Sequence, residues 1–82
     1  MKLTTIQRML LGRIYEKSNG DTQEMIPISS IKNDVQHITQ VDKEIVEEAV
    51  EFLQRHRFIE LIGIPNLFLI TSRTLPFMRN KE

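Results

Sequence analysis

The spacing of apolar residues changes near His56, and this change limits the folds available to the chain. Before His56, apolar residues recur three and four positions apart, as in helices that bury one face. After it, residues 58–62 and 67–71 are rich in apolar types that favour strands, and residues 63–66 have the composition of a turn. The pattern predicts a helical N-terminal part followed by a β-hairpin.

The first predicted helix spans residues 4–18. Thr4 or Thr5 is placed to act as its N-cap, and Asn19-Gly20 ends it, because both residues tolerate the left-handed conformation. The apolar stripe of this helix consists of Leu3, Ile6, Leu10 and Ile14. A flanking pair lies one turn apart, Leu11 and Tyr15, and either borders a wide core face or forms a second contact surface.

Two further helices are predicted after an extended segment, residues 25–28, which precedes a cap at Ser29 or Ser30. Asp42 is placed to accept free amide hydrogens at the start of the third helix. The second helix is expected to bury Ile31, Val35 and Ile38, and the third Ile45, Val46, Ala49, Val50 and Leu53. Residues 75–78 are expected to lie back over the hairpin, and residues 79–82 to be loose.

Length and composition exclude several classes of protein. The 82 residues allow a single domain, 1–82, and the absence of cysteine excludes disulfides and thiolate metal sites. Two histidines cannot form a zinc centre alone, and no apolar run approaches the length of a membrane span. We therefore expect a cytoplasmic protein that is not an enzyme and has no cofactor, metal or membrane partner.

The net charge of zero conceals a strong internal polarity. Residues 1–20 carry a charge of +3, residues 21–60 a charge of −5, and the remaining residues +2. Four of the nine acids of the middle segment lie on the outward side of the third predicted helix: Glu44, Glu47, Glu48 and Glu51. Separate acidic and basic surfaces are therefore expected on one small domain.

The order helix, extended segment, helix, turn, helix and hairpin resembles that of the winged helix-turn-helix superfamily over about residues 4–75. The residues that carry the resemblance are 28–31, 46–53, 58–60 and 67–71. It implies an α+β winged helix-turn-helix fold with three helices and a C-terminal hairpin wing. Arg57 and Thr74 depart from the pattern, since many members have glycine at both positions.

The resemblance implies a DNA-binding transcriptional regulator whose third helix enters the major groove. The residues that would then contact DNA are Lys32, Gln40, Lys43, Arg55, Arg57, Arg73 and Arg79. Arg55 and Arg57 have an alternative role, because cations at a helix C-terminus favour the macrodipole. The acids of the third helix oppose this interpretation, because they repel phosphate.

A protein-protein interaction domain is the alternative interpretation, with another protein or a second copy as the partner. The predicted hairpin is apolar on both faces. It carries more apolar residues than a single sheet face can bury against a small helical layer. Either the chain's own tail and first helix cover the second face, or a partner does. The candidate interface residues are Leu11, Tyr15, Ile64 and Leu67.

Overall fold

The computed structural model describes residues 2–63 and 66–79, without the side chain of Arg79. These residues form an α+β fold with more elements than the sequence predicts, namely a two-residue strand before the second helix and a short C-terminal helix. The elements are α1 (Thr5–Ser18), β1 (Ile26–Pro27), α2 (Ile28–Thr39), α3 (Lys43–Arg55), β2 (Ile59–Gly63), β3 (Leu67–Ile70) and α4 (Thr74–Arg79).

Helix α1 begins in a capping box at Thr4. The backbone N–H of Gln7 donates to Thr4 Oγ1 at 3.2 Å, and the N–H of Thr4 donates to Gln7 Oε1 at 2.9 Å. Two of the N–H groups that lack helical partners are thereby satisfied. Leu10 and Ile14 are buried as predicted, and the first turn and the end of the helix agree with the sequence pattern.

Helix α2 begins earlier than predicted, and neither Ser29 nor Ser30 is its cap. Pro27 holds the N-cap position without a side-chain hydrogen bond. Instead, the N–H of Ile28 donates to the backbone carbonyl of Asn66 at 2.9 Å. A residue far along the chain thus satisfies one of the free N–H groups at the start of α2.

The apolar faces of α2 and α3 are narrower than predicted. Ile38 and Ile45 are 52% and 45% exposed, whereas the neighbouring Val35 and Val46 are buried. Both isoleucines lie close to the α2–α3 turn, at the ends of their helices. Asp42 occupies the N-cap of α3 as expected, but its side chain makes no capping hydrogen bond.

Three helices are followed by non-glycine residues in the left-handed conformation, Asn19, Gln40 and Arg57, with φ of 55°, 63° and 65°. After α3, the N–H of Arg57 donates to Gln54 O at 3.1 Å and that of Phe58 donates to Leu53 O at 2.9 Å. This is the Schellman pattern, in which glycine normally holds the left-handed position. Arg57 therefore occupies a position whose backbone geometry favours glycine.

The sheet is antiparallel, with strand order β1-β3-β2. Ile26 pairs with Phe68 in the first ladder, and Ile59 pairs with Ile70 in the second. These four side chains are buried in the core. The second ladder is irregular between Leu61 and Gly63, so the hairpin deviates from regular pairing near its turn.

Helix α4 holds the C-terminal segment against the core. Met78 is buried, and its Cε lies 3.8 Å from the position that a Cβ would take at Gly12 in α1. The ring of Phe77 meets that of Phe58 edge-on, with centroids 5.2 Å apart. Residues 75–78 therefore pack against α1 and Phe58, while residues 80–82 of the tail expected to be loose lie outside the described residues.

We expect Arg57→Gly to raise the free energy of unfolding by about 1 kcal/mol, because glycine adopts a positive φ without the steric cost that a Cβ imposes. Urea denaturation measures the change. Glu48→Gly is the matched control at an exposed helical position of α3, and it should lower stability by about 1 kcal/mol. Equal losses in both variants would contradict the conformational argument.

Thr74→Val should lower the free energy of unfolding by about 1–2 kcal/mol. Thr74 is fully buried, and its Oγ1 donates to the carbonyl of Phe58 at 2.6 Å, a bond that valine cannot make. Thermal denaturation compares this variant with Thr74→Ser, which retains the hydroxyl and should lose less. A valine variant as stable as wild type would show that the bond contributes nothing net.

Candidate binding surfaces

A groove of about 210 Å³ lies between α2 and α3 and contains two of the predicted DNA-binding residues, Lys32 and Lys43. Lys32 Nζ lies 3.0 Å from Glu47 Oε2, with 21% of the lysine side chain exposed. A phosphate approaching this lysine would therefore have to compete with a carboxylate already in contact. Lys43 is exposed at the first turn of α3.

A second groove, which we call the acidic groove, lies between α1 and α3 and measures about 590 Å³. Its lining residues are Thr4, Ile6, Gln7, Ile45, Glu48, Ala49, Glu51, Phe52 and Arg55. Exposed Ile45 and half-buried Ile6 and Phe52 supply apolar surface beside two carboxylates and one guanidinium. The groove thus offers both apolar contact and an excess of negative charge.

A third groove, the basic groove, lies between the end of α3 and strand β2 and measures about 360 Å³. It brings together Arg55 and Arg57, two predicted DNA-binding residues that flank the end of α3. The other lining residues are Gln54, Ile59, Glu60, Leu61 and Thr71. Two cations against one acid give this groove a charge opposite to that of the acidic groove.

The remaining predicted DNA-binding residues lie outside these grooves. Gln40 is exposed after α2, and its Nε2 donates to the carbonyl of His37 at 2.9 Å. Arg73 lies with its guanidinium carbon 4.7 Å from the ring centroid of Phe58, a cation–π geometry. The side chain of Arg79, at the last position of α4, is outside the described residues.

The predicted protein interface is only partly available. Leu11 is fully buried, so its assignment to a contact surface is wrong, and the alternative, that it borders the core face of α1, agrees with the structure. Tyr15 and Leu67 are half-buried at the edge of the core. Ile64 lies outside the described residues.

Several exposed apolar residues were missed as candidates, because the spacing pattern assigns them to the core or to a strand. They are Met25, Ile38, Ile45, Leu61 and Ile62, which are between 42% and 55% exposed. For Ile38 and Ile45 the sequence did offer a signal of exposure, namely their position near a helix end. Residues at such positions often extend beyond the neighbouring helix and are then not covered by it.

Among residues 2–63 and 66–79, no cluster of three His, Cys, Asp or Glu side chains is arranged to hold a metal ion. Within the same part of the chain, no helix has the length and apolar character needed to cross a membrane. No match was found when the chain was compared with protein-family models, curated proteins and solved structures.

A double-mutant cycle tests whether Glu47 holds Lys32. Replacing each residue with alanine, alone and together, should give a coupling free energy of about 0.5 kcal/mol, because both side chains are partly exposed. The coupling should shrink in 1 M salt, where the Debye length falls to about 3 Å. A coupling that does not change with salt would rule out an ion pair as its source.

Proposed function

We propose that this chain is a winged-helix domain whose function is to bind another protein through α3. The order of helices and strands, and the hairpin that follows α3, support the winged-helix assignment. They leave the partner open, because one fold can carry unrelated binding functions. The partner is therefore argued from the surface of α3.

The observation that carries the proposal is the composition of the solvent-facing side of α3. Glu44, Glu48 and Glu51 are exposed there, around the exposed apolar side chain of Ile45. The nearby Lys32 is paired with Glu47. A helix with this surface repels phosphate in the major groove but suits a partner that is both basic and apolar.

A basic amphipathic helix is the partner that best fits the acidic groove. Its apolar side would contact Ile45, Ile6 and Phe52, and its lysines or arginines would lie near Glu48 and Glu51. Docking of an amphipathic helix into an apolar groove is a common mode of peptide recognition, and charges at the rim add specificity.

The test is binding of a synthetic leucine- and lysine-containing amphipathic peptide about four helical turns long, measured by fluorescence anisotropy. The double variant Glu48→Lys/Glu51→Lys should weaken binding about tenfold, because attraction becomes repulsion. Glu16→Lys is the control, since this exposed residue on α1 does not line the acidic groove. If Glu16→Lys weakened peptide binding as much as the double variant does, the binding would reflect only nonspecific attraction between the peptide and the chain, and the proposal would be overturned.

DNA binding is a second candidate function, favoured by the convergence of Arg55 and Arg57 on one groove and by the exposure of Lys43. In this case the basic residues at the two ends of α3 contact phosphate, and the acidic middle of the helix stays away from the bases. Duplex DNA titrated at low salt tests this role. Micromolar binding that is lost in Lys43→Ala and falls steeply with salt would support it; no binding at low salt would exclude it.

A further inference from the structure

Strand β2 has one edge that faces away from the sheet, because β3 is its only neighbour among the described strands. The N–H of Thr71 donates to the carbonyl of Phe58 at 3.0 Å, which makes these two residues a hydrogen-bonded pair. In antiparallel ladders such pairs alternate along the strand. Ile59 and Leu61 therefore direct their backbone N–H and C=O groups away from β3.

This edge lacks two of the usual protections against pairing with another chain. Lysine and proline commonly block exposed edges, and the strand Ile59–Gly63 contains neither. Leu61 is 48% exposed and Ile62 is 42% exposed. The irregular pairing between Leu61 and Gly63 limits the regular part of the edge to a few residues.

The basic groove adjoins the same strand. Ile59, Glu60 and Leu61 line it on the β2 side, and Arg55 and Arg57 supply its positive charge. A backbone template for hydrogen bonding, an exposed apolar side chain and two guanidinium groups therefore lie together. Duplex DNA would use only the cations, whereas an extended peptide would use all three features.

Arg57 adds an independent observation. It keeps a left-handed backbone, with φ of 65°, where glycine would fit with less strain. Its side chain lines the basic groove. Residues held at a conformational cost are frequent at functional sites, so a binding role gives a reason for arginine at this position.

We propose that β2 accepts an extended segment of another protein as an additional strand, and that this segment alternates acidic and apolar residues. Its backbone pairs with Ile59 and Leu61, its apolar side chains cover Leu61, and its carboxylates contact Arg55 and Arg57. A second copy of this chain fits less well, because its own β2 offers one acid, Glu60. The site shares Arg55 with the acidic groove, but its test depends on Arg57 and the β2 edge, which do not line that groove, so either surface can fail its test without the other.

The probe is a synthetic peptide of alternating valine and glutamate, about eight residues long, titrated into the whole chain by fluorescence anisotropy and followed by amide hydrogen exchange. Binding should protect the amides of Ile59 and Leu61. The amide of Glu60 should not change, because the alternation directs it toward β3. The same peptide N-methylated at every residue, which cannot donate backbone hydrogen bonds, and a valine-lysine peptide should both fail to bind.

Arg57→Gly is the informative variant, because it removes the cation while favouring the native backbone. It should weaken the valine-glutamate peptide about fivefold to tenfold without loss of stability, as expected for one charge-assisted contact. Glu24→Gln, at an exposed residue outside the groove, is the control and should bind as wild type does.

Four outcomes would overturn the proposal. They are no peptide binding, binding without protection of Ile59 and Leu61, equal binding of the N-methylated peptide, and protection of these amides by self-association alone. Sedimentation of the chain without peptide detects the last of these. Duplex DNA that competes for Arg57 without protecting either amide would assign the groove to phosphate instead.

Discussion

Phe58 connects α3, the sheet and α4 through its own backbone. Its N–H donates to Leu53 at the end of α3, and its carbonyl accepts hydrogen bonds from the N–H of Thr71 and the hydroxyl of Thr74. Its buried ring meets that of Phe77 in α4. These bonds hold the hairpin in place relative to the end of α3, and the basic groove lies between these two elements.

Sequence patterns that span a few residues predicted the helices and strands of this fold better than they predicted the contacts between them. The first helix, the turn at Asn19 and the hairpin follow from caps, periodicity and turn composition, which act over a few residues. The start of α2 does not, because the carbonyl that receives the N–H of Ile28 belongs to Asn66. Exposure of Ile45 and burial of Leu11 likewise depend on how far neighbouring helices extend, which one sequence does not encode in its spacing.

The sequence predicts the charges of the candidate surfaces, but not which residues the fold brings together in one groove. Charge counting along the sequence predicts acidic and basic surfaces, and two acids of α3, Glu48 and Glu51, do line one groove with the exposed Ile45. The meeting of Arg55 and Arg57 beside an unpaired strand edge required the path of the chain after α3. This meeting also depends on the left-handed backbone of Arg57, a conformation that the sequence does not predict for a residue other than glycine.

Pro27 makes the two edges of the sheet unequal in their ability to pair with another strand. It lies in β1, at the edge opposite β2, where it has no N–H to donate, and the N–H of the following Ile28 is already bonded to Asn66. The sheet can therefore lengthen from one side and not from the other. Pairing of the β2 edge of one copy with the β1 edge of the next is therefore disfavoured, and with it the head-to-tail assembly that builds filaments.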